Sequence, residues 1–542
     1  MKLTFIGAAH EVTGSCHFLQ AAGKNILVDY GLEQGKDEFE NAELPVPASD
    51  IDYVFVTHAH IDHTGRIPLL EINGFKGQIF ATRATCDLCK IMLLDSAHIQ
   101  EFEAEWRNRK GQRRGKEPYV PLYTVADAQA VLERFVECDY NTDIEVCDGI
   151  KIHMTDAGHL LGSSSLTVTV TEDGQDTRIV FSGDVGNIDQ PLINDPTAVE
   201  EADYVLIEST YGDRSHKARV DYVSELASIM QRTFERGGNL IIPSFAIGRT
   251  QEMLYFIRQI KEEQRLPMGF DVYVDSPLAV AATGIFNRHD WDCFDAEAKE
   301  LVGRGINPIS FPGLKLSVSS DDSKAINFDQ KPKVILSASG MCEAGRIKHH
   351  LKHNLWRPEC TVLFVGYQAV GTLGRQLLEG REEVTLFGEK VAVKAEILSL
   401  PGISGHADRE GLLRWASHFK EKPKKVFVVH GDPTVVDIFA GVLKENLGLD
   451  TYAPYSGTVY DLTANELIYE APPKPIAPKS EAGQGTGAPV TPGRTKAAAA
   501  FARLMAAGQR LMRLIKDSEG RPNKEMNDMA RKIEDICDRW EG

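Results

Sequence analysis

The sequence predicts an α/β protein in which one layered domain is interrupted by another. Two observations carry this. First, short apolar runs end repeatedly in a polar residue: YVFVTH (53–58), TRIVFSGD (177–184), YVLIE (204–208) and KVFVVH (425–430). Rigid strands that present polar tips to loops are how layered α/β folds build sites. Second, the texture changes near residue 215, where helical and strand patterns alternate. The earlier style returns at EILSLPGISGHAD (396–408).

KLTFIG, CHFLQA and NILVDYG alternate apolar and polar residues, with turns at Gly14 and Gly23, so antiparallel strands open the chain. YVFVTH is a strand that stops at a histidine-rich loop, and IPLLEING continues as a helix. GQIFAT, IKIHMTDAG and SLTVTVTED are further strands. Beyond 215, SELASIMQRTFERGG and GRTQEMLYFIRQIKEE read as helices. NLIIPSF, FDVYVDSP, PKVILSASG and CTVLFVGYQ read as strands between and after them. The expected organisation is a first part at 1–210, an inserted α/β domain at 211–393 and a return segment at 394–468. A flexible linker rich in Pro, Gly, Ala and Ser follows at 469–495, then a C-terminal helical segment at 496–542.

The 542 residues carry a formal net charge of −18, which argues against a general nucleic-acid coat but leaves room for a basic groove. No apolar run reaches the roughly 18–20 residues of a membrane span, so no membrane partner is expected. MKLTFIGAAHEVTGSC reads as a first strand, not an export signal. Nine cysteines in no framework favour a reducing, cytoplasmic setting. Cys86 and Cys89 form a lone CxxC without a second pair, and are read as two semi-buried thiols on a helix.

The stretch HAHIDH places His58, His60, Asp62 and His63 within six positions. Imidazole and carboxylate both suit zinc. Four such ligands this close divide more naturally between two ions than around one tetrahedral ion. Two ions need further ligands, and the chain offers His159 in DAGHLLGS, Asp184 in SGDVGN and His430 in VVHGDP. Each follows an apolar strand and lies beside glycine, where the backbone can turn sharply. The isolated histidines His98, His153, His216, His289, His349, His350, His353 and His418 are read as ordinary core or surface residues. His349, His350 and His353 have no obvious carboxylate partner and are placed on the substrate side or in solvent.

HxHxDH followed by a His, an Asp and a late His resembles the pattern of the metallo-β-lactamase superfamily. The resemblance implies an αββα sandwich with a two-metal site at the strand ends. It implies that His58, His60 and His159 hold one Zn2+, that Asp62, His63 and His430 hold the other, and that Asp184 bridges them. Redox members of the superfamily carry an acidic residue where His60 stands, so zinc is expected rather than iron. Two such ions about 3.5–4 Å apart can activate a shared water and stabilise charge on a scissile phosphate.

ESTYGDR (208–214), IPSFAIGRTQE (242–252), SASGMCEAGRIKHHL (337–351) and SGHAD (404–408) resemble the β-CASP branch of that superfamily. The likeness spans roughly residues 1–465. It is nearest to the bacterial and archaeal proteins similar to the 73 kDa cleavage and polyadenylation specificity factor, with RNase J more distant. Glu208, His406 and His430 match the branch motifs A, B and C. Histidine at motif C is the RNA-processing pattern. The inserted α/β domain is then the β-CASP domain.

The resemblance thus implies a zinc-dependent ribonuclease acting on single-stranded RNA, endonucleolytic, 5′-exonucleolytic or both, in RNA processing or decay. Asp62, Glu208 and His406 are its candidate catalytic residues. His406 is the candidate acid for the leaving oxygen, and Glu208 would hold its tautomer. Ser244, Arg249, Ser337, Ser339, Gly340 and Arg346 are candidate substrate-binding residues, since Ser/Gly loops can offer N–H groups to phosphate. The basic run WRNRKGQRRGKEPY (106–119) is either a solvated loop or an RNA contact. A homodimer is implied by resemblance alone. The alternative function is hydrolysis of a small phosphodiester or thioester on the same fold. A DNA nuclease and a non-catalytic RNA-binding subunit are disfavoured, by His430 and by the filled ligand positions.

Overall fold

The structure, a computed structural model, describes residues 1–35, 38–111, 118–216, 220–266, 269–400, 402–476 and 530–533. Strands β1 (Lys2–Gly7), β2 (Cys16–Ala21) and β3 (Lys24–Val28) form the antiparallel opening expected from their alternation. β4 (Tyr53–Phe55), β5 (Gln78–Thr82) and β6 (Phe135–Cys138) then add in parallel. A second sheet starts with β7 (Asp143–Cys147), β8 (Ile150–Asp156), β9 (Ser164–Glu172), β10 (Gln175–Phe181) and β11 (Tyr204–Glu208).

The chain next builds a separate sheet from β12 (Leu240–Pro243), β13 (Asp271–Asp275), β14 (Leu314–Ser317), β15 (Lys333–Ser337) and β16 (Thr361–Phe364). The hairpin β17 (Glu383–Leu386) and β18 (Glu389–Ala392) follows, and then β19 (Glu396–Ser399). The third sheet has six strands in the order β14-β13-β15-β12-β16-β19, all parallel. The chain returns as β20 (Lys425–Val429) and β21 (Thr451–Tyr452) in the second sheet, and β22 (Val459–Asp461) and β23 (Glu466–Tyr469) in the first.

The first two sheets face each other. Leu3, Phe5, Leu19, Ile26 and Phe55 of one pack against Ile152, Met154, Leu166, Val168 and Phe427 of the other. Helices cover both outer faces. Leu88, Leu93 and Val131 pack behind the first sheet, and Trp415, Phe439 and Leu443 behind the second. This is the αββα sandwich. In the inserted domain, helices Tyr222–Glu235, Arg249–Glu262 and Pro277–Phe286 lie on one face of the parallel sheet, and Ile347–Asn354 and Leu373–Leu378 on the other. A parallel sheet must be covered on both sides, which explains its near-continuous apolar strands LIIP and TVLF.

Several expectations need correction. The boundary set at 393/394 precedes β19, which belongs to the inserted sheet, so the return begins beyond Ser399. The linker set at 469 begins later: Ile476 N–H still donates to Glu38 O at 2.8 Å. The basic run does not begin as a loop, because Trp106–Gly111 are the last turns of the long helix Arg83–Gly111; residues 112–117 lie outside the described residues. Cys86 and Cys89 are not semi-buried but sealed in the core at 1% and 0% exposure. The segments 477–495 and 496–542 lie outside the described residues, except 530–533, which are helical.

Candidate metal centre and active site

The tips of β3, β4, β10, β11 and β20 meet at one end of the sandwich. After β4 the chain turns through Thr57 and reaches His58, and the short helix Ile61–Thr64 carries Asp62 and His63. Asp184 follows β10, Glu208 ends β11 and His430 follows β20. β11 pairs in parallel with β20, with Glu208 opposite Val429, so motif A stands beside the residue that follows Val429. His430 adopts a left-handed φ of 52° to turn its ring inward.

Three donor groups result. His58, His60, His159 and Asp184 form one; Asp62, His63 and His430 form a second; Asp184, Glu208 and His406 form a third. Within each group the donor atoms lie within 4.8 Å of one another. Asp184 belongs to the first and third and also reaches the second, with Oδ1 3.2 Å from His63 Nε2 and 3.5 Å from His430 Nε2. All seven ligand positions expected from the sequence thus converge.

The arrangement fits cations. Asp184 Oδ1 is buried and accepts no hydrogen bond, despite two ring nitrogens close by. Ring nitrogens also face each other across short gaps: His58 Nε2 to His60 Nδ1 at 3.0 Å, His159 Nε2 to His60 Nδ1 at 3.2 Å, and His63 Nε2 to His430 Nε2 at 3.1 Å. Ring lone pairs converging beside an unpartnered carboxylate oxygen are what a divalent cation requires. The other ring atoms are already engaged. His63 Nδ1–H donates to Asp29 Oδ2 at 2.7 Å, and His159 Nδ1–H to Gly405 O at 3.0 Å. His430 Nδ1 stands 3.1 Å from Thr210 Oγ1. Such outer bonds fix the tautomer and leave Nε2 free to ligate.

Burial pushes His58, His60 and His159 below the usual histidine range, which keeps them neutral and ready to coordinate. Burial works the same way on His63, but Asp184 and Asp29 outweigh it and raise that ring well above the usual value. Asp184 is itself held far below the carboxylate range, since the surrounding histidines overcome the cost of its burial.

Glu208 is 1% exposed and fully employed. Oε1 accepts the Val185 N–H at 2.7 Å and the His406 Nδ1–H at 3.1 Å, and Oε2 accepts the Thr210 N–H at 3.2 Å. His406 Nε2 points back toward the centre, 3.9 Å from Asp184 Oδ2. Burial would lower His406, but Glu208 and Asp184 raise it to about 9. Its side chain retains 22% exposure, and Asp62 20%, while Glu208 and Asp184 are sealed at 1% and 2%. His406 and Asp62 therefore mark the open edge.

Asp29 and Thr57 escaped the sequence reading. Asp29 Oδ1 takes the Thr57 N–H and Oδ2 takes the Thr57 hydroxyl, both at 2.8 Å, while Oδ2 also holds His63. The signal was present, because Asp29 closes NILVD as a polar strand tip like the others. His216, read as ordinary, brings Nε2 within 3.0 Å of the His406 carbonyl and so buttresses that loop.

The candidate substrate residues divide. Ser244 and Ser337 are buried, with hydroxyls bonded to Thr250 Oγ1 and the Asp275 carbonyl. Arg346 is tied to Asp275 at 2.7 Å and to the Ser317 and Val318 carbonyls at the end of β14. Arg249 pairs with Glu252 and donates to Ile403 O at 3.2 Å, which connects it to the loop bearing His406. Ser339 is partly exposed and Gly340 buried, both after β15. The placement of His350 on the substrate side is overturned. It is fully buried, with Nε2 2.6 Å from Asp275 Oδ2, so a carboxylate partner does exist. His349 and His353 are exposed.

Comparison with known proteins agrees with this geometry. The Beta-Casp domain family matches residues 250–377, the Zn-dependent metallo-hydrolase RNA specificity domain residues 390–454, and the metallo-beta-lactamase superfamily residues 11–79. Ribonuclease TTHA0252 of Thermus thermophilus is 35% identical over 433 residues, covering 80% of this chain and 93% of that protein. The chain belongs to the β-CASP branch of the metallo-β-lactamase superfamily. An RNase J-like protein of Methanocaldococcus jannaschii is 31% identical over 462 residues, covering 84% of this β-CASP chain and 99% of the relative. The transcription termination factor FttA of Methanosarcina mazei is 31% identical over 469 residues, 84% of this chain and 70% of that one. As a β-CASP metallo-hydrolase the protein uses a divalent metal. Among the described residues no helix is long and apolar enough to cross a membrane.

Proposed function

We propose that this protein is a two-zinc ribonuclease that hydrolyses phosphodiester bonds of single-stranded RNA in the cytoplasm, in RNA processing or decay. The observation that carries the reading is the buried Glu208 holding His406 at the open edge of two histidine-rich donor groups, both within reach of Asp184. Mixed imidazole and carboxylate donors with no thiolate suit zinc. Two ions bound there would supply Lewis-acid stabilisation of phosphate charge and a water of lowered pKa.

The remaining steps belong to the chain. Glu208 accepts from Nδ1 of His406 and, with Asp184, raises the ring to about 9, so the imidazolium also carries a proton on Nε2, toward the cleft. His406 can hand that proton to the leaving oxygen of a cleaved ester. Asp29 and Thr57 hold His63 in place, and Gly405 O holds His159. RNA as the substrate is supported by the ribonuclease and RNase J-like names of two relatives and by histidine at position 430. The described cysteines are all free, which suits a reducing compartment. A homodimer is the assembly the family likeness favours.

The test is cleavage of matched linear and circular single-stranded RNAs, with a DNA control and Asp184→Ala beside the parent. Metal-dependent loss of both RNAs in the parent alone establishes endonuclease action, and loss of the linear RNA alone a 5′-end-dependent exonuclease. Protein that binds two zincs yet cuts neither RNA moves the assignment to a small phosphodiester or thioester hydrolase.

A further inference from the structure

The carboxyl ends of β12, β15 and β16 carry loops whose glycines let aromatic rings lie close to the backbone. Phe245 follows β12 and is 47% exposed; Tyr367 follows β16 and is 58% exposed. A Cβ on Gly340 would come within 3.4 Å of the Phe245 ring, and one on Gly366 within 3.9 Å. The Phe245 ring therefore lies between the loops that follow β15 and β16, the two strands that flank β12. Gln368 fixes the same surface, its Nε2 reaching Gly340 O at 3.0 Å, Gly366 O at 3.2 Å and Tyr367 O at 3.0 Å. Exposed aromatic rings held in place by a braced backbone offer flat faces on which a planar group can stack.

The loop that carries Phe245 borders the reaction centre. The loop after β12 reaches the metal-bearing domain, since a Cβ on Gly248 would meet Leu160 Cδ1 at 3.1 Å, next to the ligand His159. Four residues after Phe245, Arg249 grips the Ile403 carbonyl of the His406 loop. Tyr367 lies close enough to Tyr211 to act on it electrostatically, and the Tyr211 ring is 6.1 Å from that of His406. Arg214 stands 5.0 Å over the Tyr211 ring, so cationic and aromatic groups interleave between Tyr367 and His406.

We propose that Phe245 and Tyr367 form a nucleobase-stacking platform that holds unpaired bases of the RNA strand beside the catalytic centre. This rests on the ribonuclease reading and deepens it. Aromatic faces accept any base by stacking, which gives binding without a fixed sequence, whereas paired bases inside a duplex present no free face. The platform thus supplies a physical reason for single-stranded substrate. It also differs from the phosphate contacts expected of the Ser/Gly loops, because it reads bases and ignores the backbone.

The experiment compares two oligomers of equal length and charge: an RNA, and the same ribose-phosphate chain with abasic positions across the middle. KM and kcat are measured for the parent, Phe245→Ala, Tyr367→Ala and Phe245→Trp, with zinc content and thermal unfolding of each. Phe245→Ala and Tyr367→Ala should raise KM for the RNA about tenfold or more, since each removes a stacked base, and should leave KM for the abasic chain unchanged. Phe245→Trp should retain parental KM for RNA. An equal loss on both oligomers, or a Phe245→Trp variant as poor as Phe245→Ala, would overturn the platform. So would a parent that binds both oligomers equally well. A zinc-loaded parent that cuts neither oligomer instead removes the ribonuclease reading, and the platform with it.

Discussion

Glu208 Oε1 stands 3.1 Å from His406 Nδ1 while the same oxygen accepts the Val185 N–H at 2.7 Å. The two residues are 198 positions apart, and the whole inserted domain lies between them. Folding of that domain therefore brings His406 to Glu208. Ala407 N–H donates to Val185 O at 2.7 Å, so the same short stretch of backbone fixes both members of the pair.

That pair makes a separable prediction. Glu208→Gln and His406→Ala should each reduce kcat on RNA by about 10²–10⁴-fold, the range for removing a positioned general acid. Neither residue belongs to the two groups richest in histidine, so both variants should keep parental zinc content by elemental analysis. Loss of zinc in His406→Ala would show that the histidine is a ligand and not the acid.

Asp184 should behave in the opposite way. It belongs to one histidine-rich donor group and reaches the other, so Asp184→Asn should lower zinc content and activity together. Chelation of the parent should also lower its thermal unfolding midpoint, because a ligand bound only to the folded state at about 1,000 times its Kd contributes ~4 kcal/mol. Calorimetry with and without chelator reads this directly. An unchanged midpoint would mean that the histidine cluster holds its shape without metal.

Much of the donor cluster was legible because its residues occur at strand tips. HAHIDH, SGD and VVHGD each follow an apolar run, and the structure brings their side chains to one end of the sandwich. Asp29 went unread because one aspartate after a strand carries no metal pattern until His63 is seen beside it at 2.7 Å. His350 was misplaced for a related reason. Its partner Asp275 is 75 residues earlier, on β13, and only the parallel pairing of β13 with β15 brings that strand beside the segment leading to the helix of His350. β19 lies just past the 393/394 boundary yet enters the inserted sheet by pairing with β16, a choice that local composition does not encode.

Close backbone approach near the ligands gives a sharper test than charge changes. A Cβ on Gly186 would lie 1.7 Å from Gly158 O and 2.6 Å from His159 N. Gly186→Ala must push the His159 loop outward, and a fall in zinc affinity of about 10–100-fold is expected, as for other changes that misplace a ligand. Gly441→Ala is the control. It lies inside the helix Pro433–Leu447 with nothing within 4 Å of the added carbon, and should leave zinc affinity alone while raising stability by up to ~1 kcal/mol. Competition titration with a zinc indicator measures both.

The inserted domain has its own charged keystone at Asp275, which is fully buried. It holds His350 at 2.6 Å, Arg346 at 2.7 Å and the Ser317 hydroxyl at 2.7 Å. Burial raises its pKa, but the bonds from His350, Ser323, Ser317 and Arg346 outweigh that and hold the carboxyl below the usual range. The unfolded chain therefore takes up this proton first as the pH falls. The contribution of Asp275 is present in full above about pH 5 and is lost as the pH falls through the depressed folded value. Asp275→Ala, which strands His350 and Arg346 without their carboxylate, should destabilise the protein by ~3–5 kcal/mol at neutral pH. The deficit should shrink when denaturant midpoints of parent and variant are compared at pH 7 and at about pH 3, inside the window between the unfolded and folded values. A deficit that does not change with pH would mean that packing around Asp275, not its charge, stabilises the strand ends.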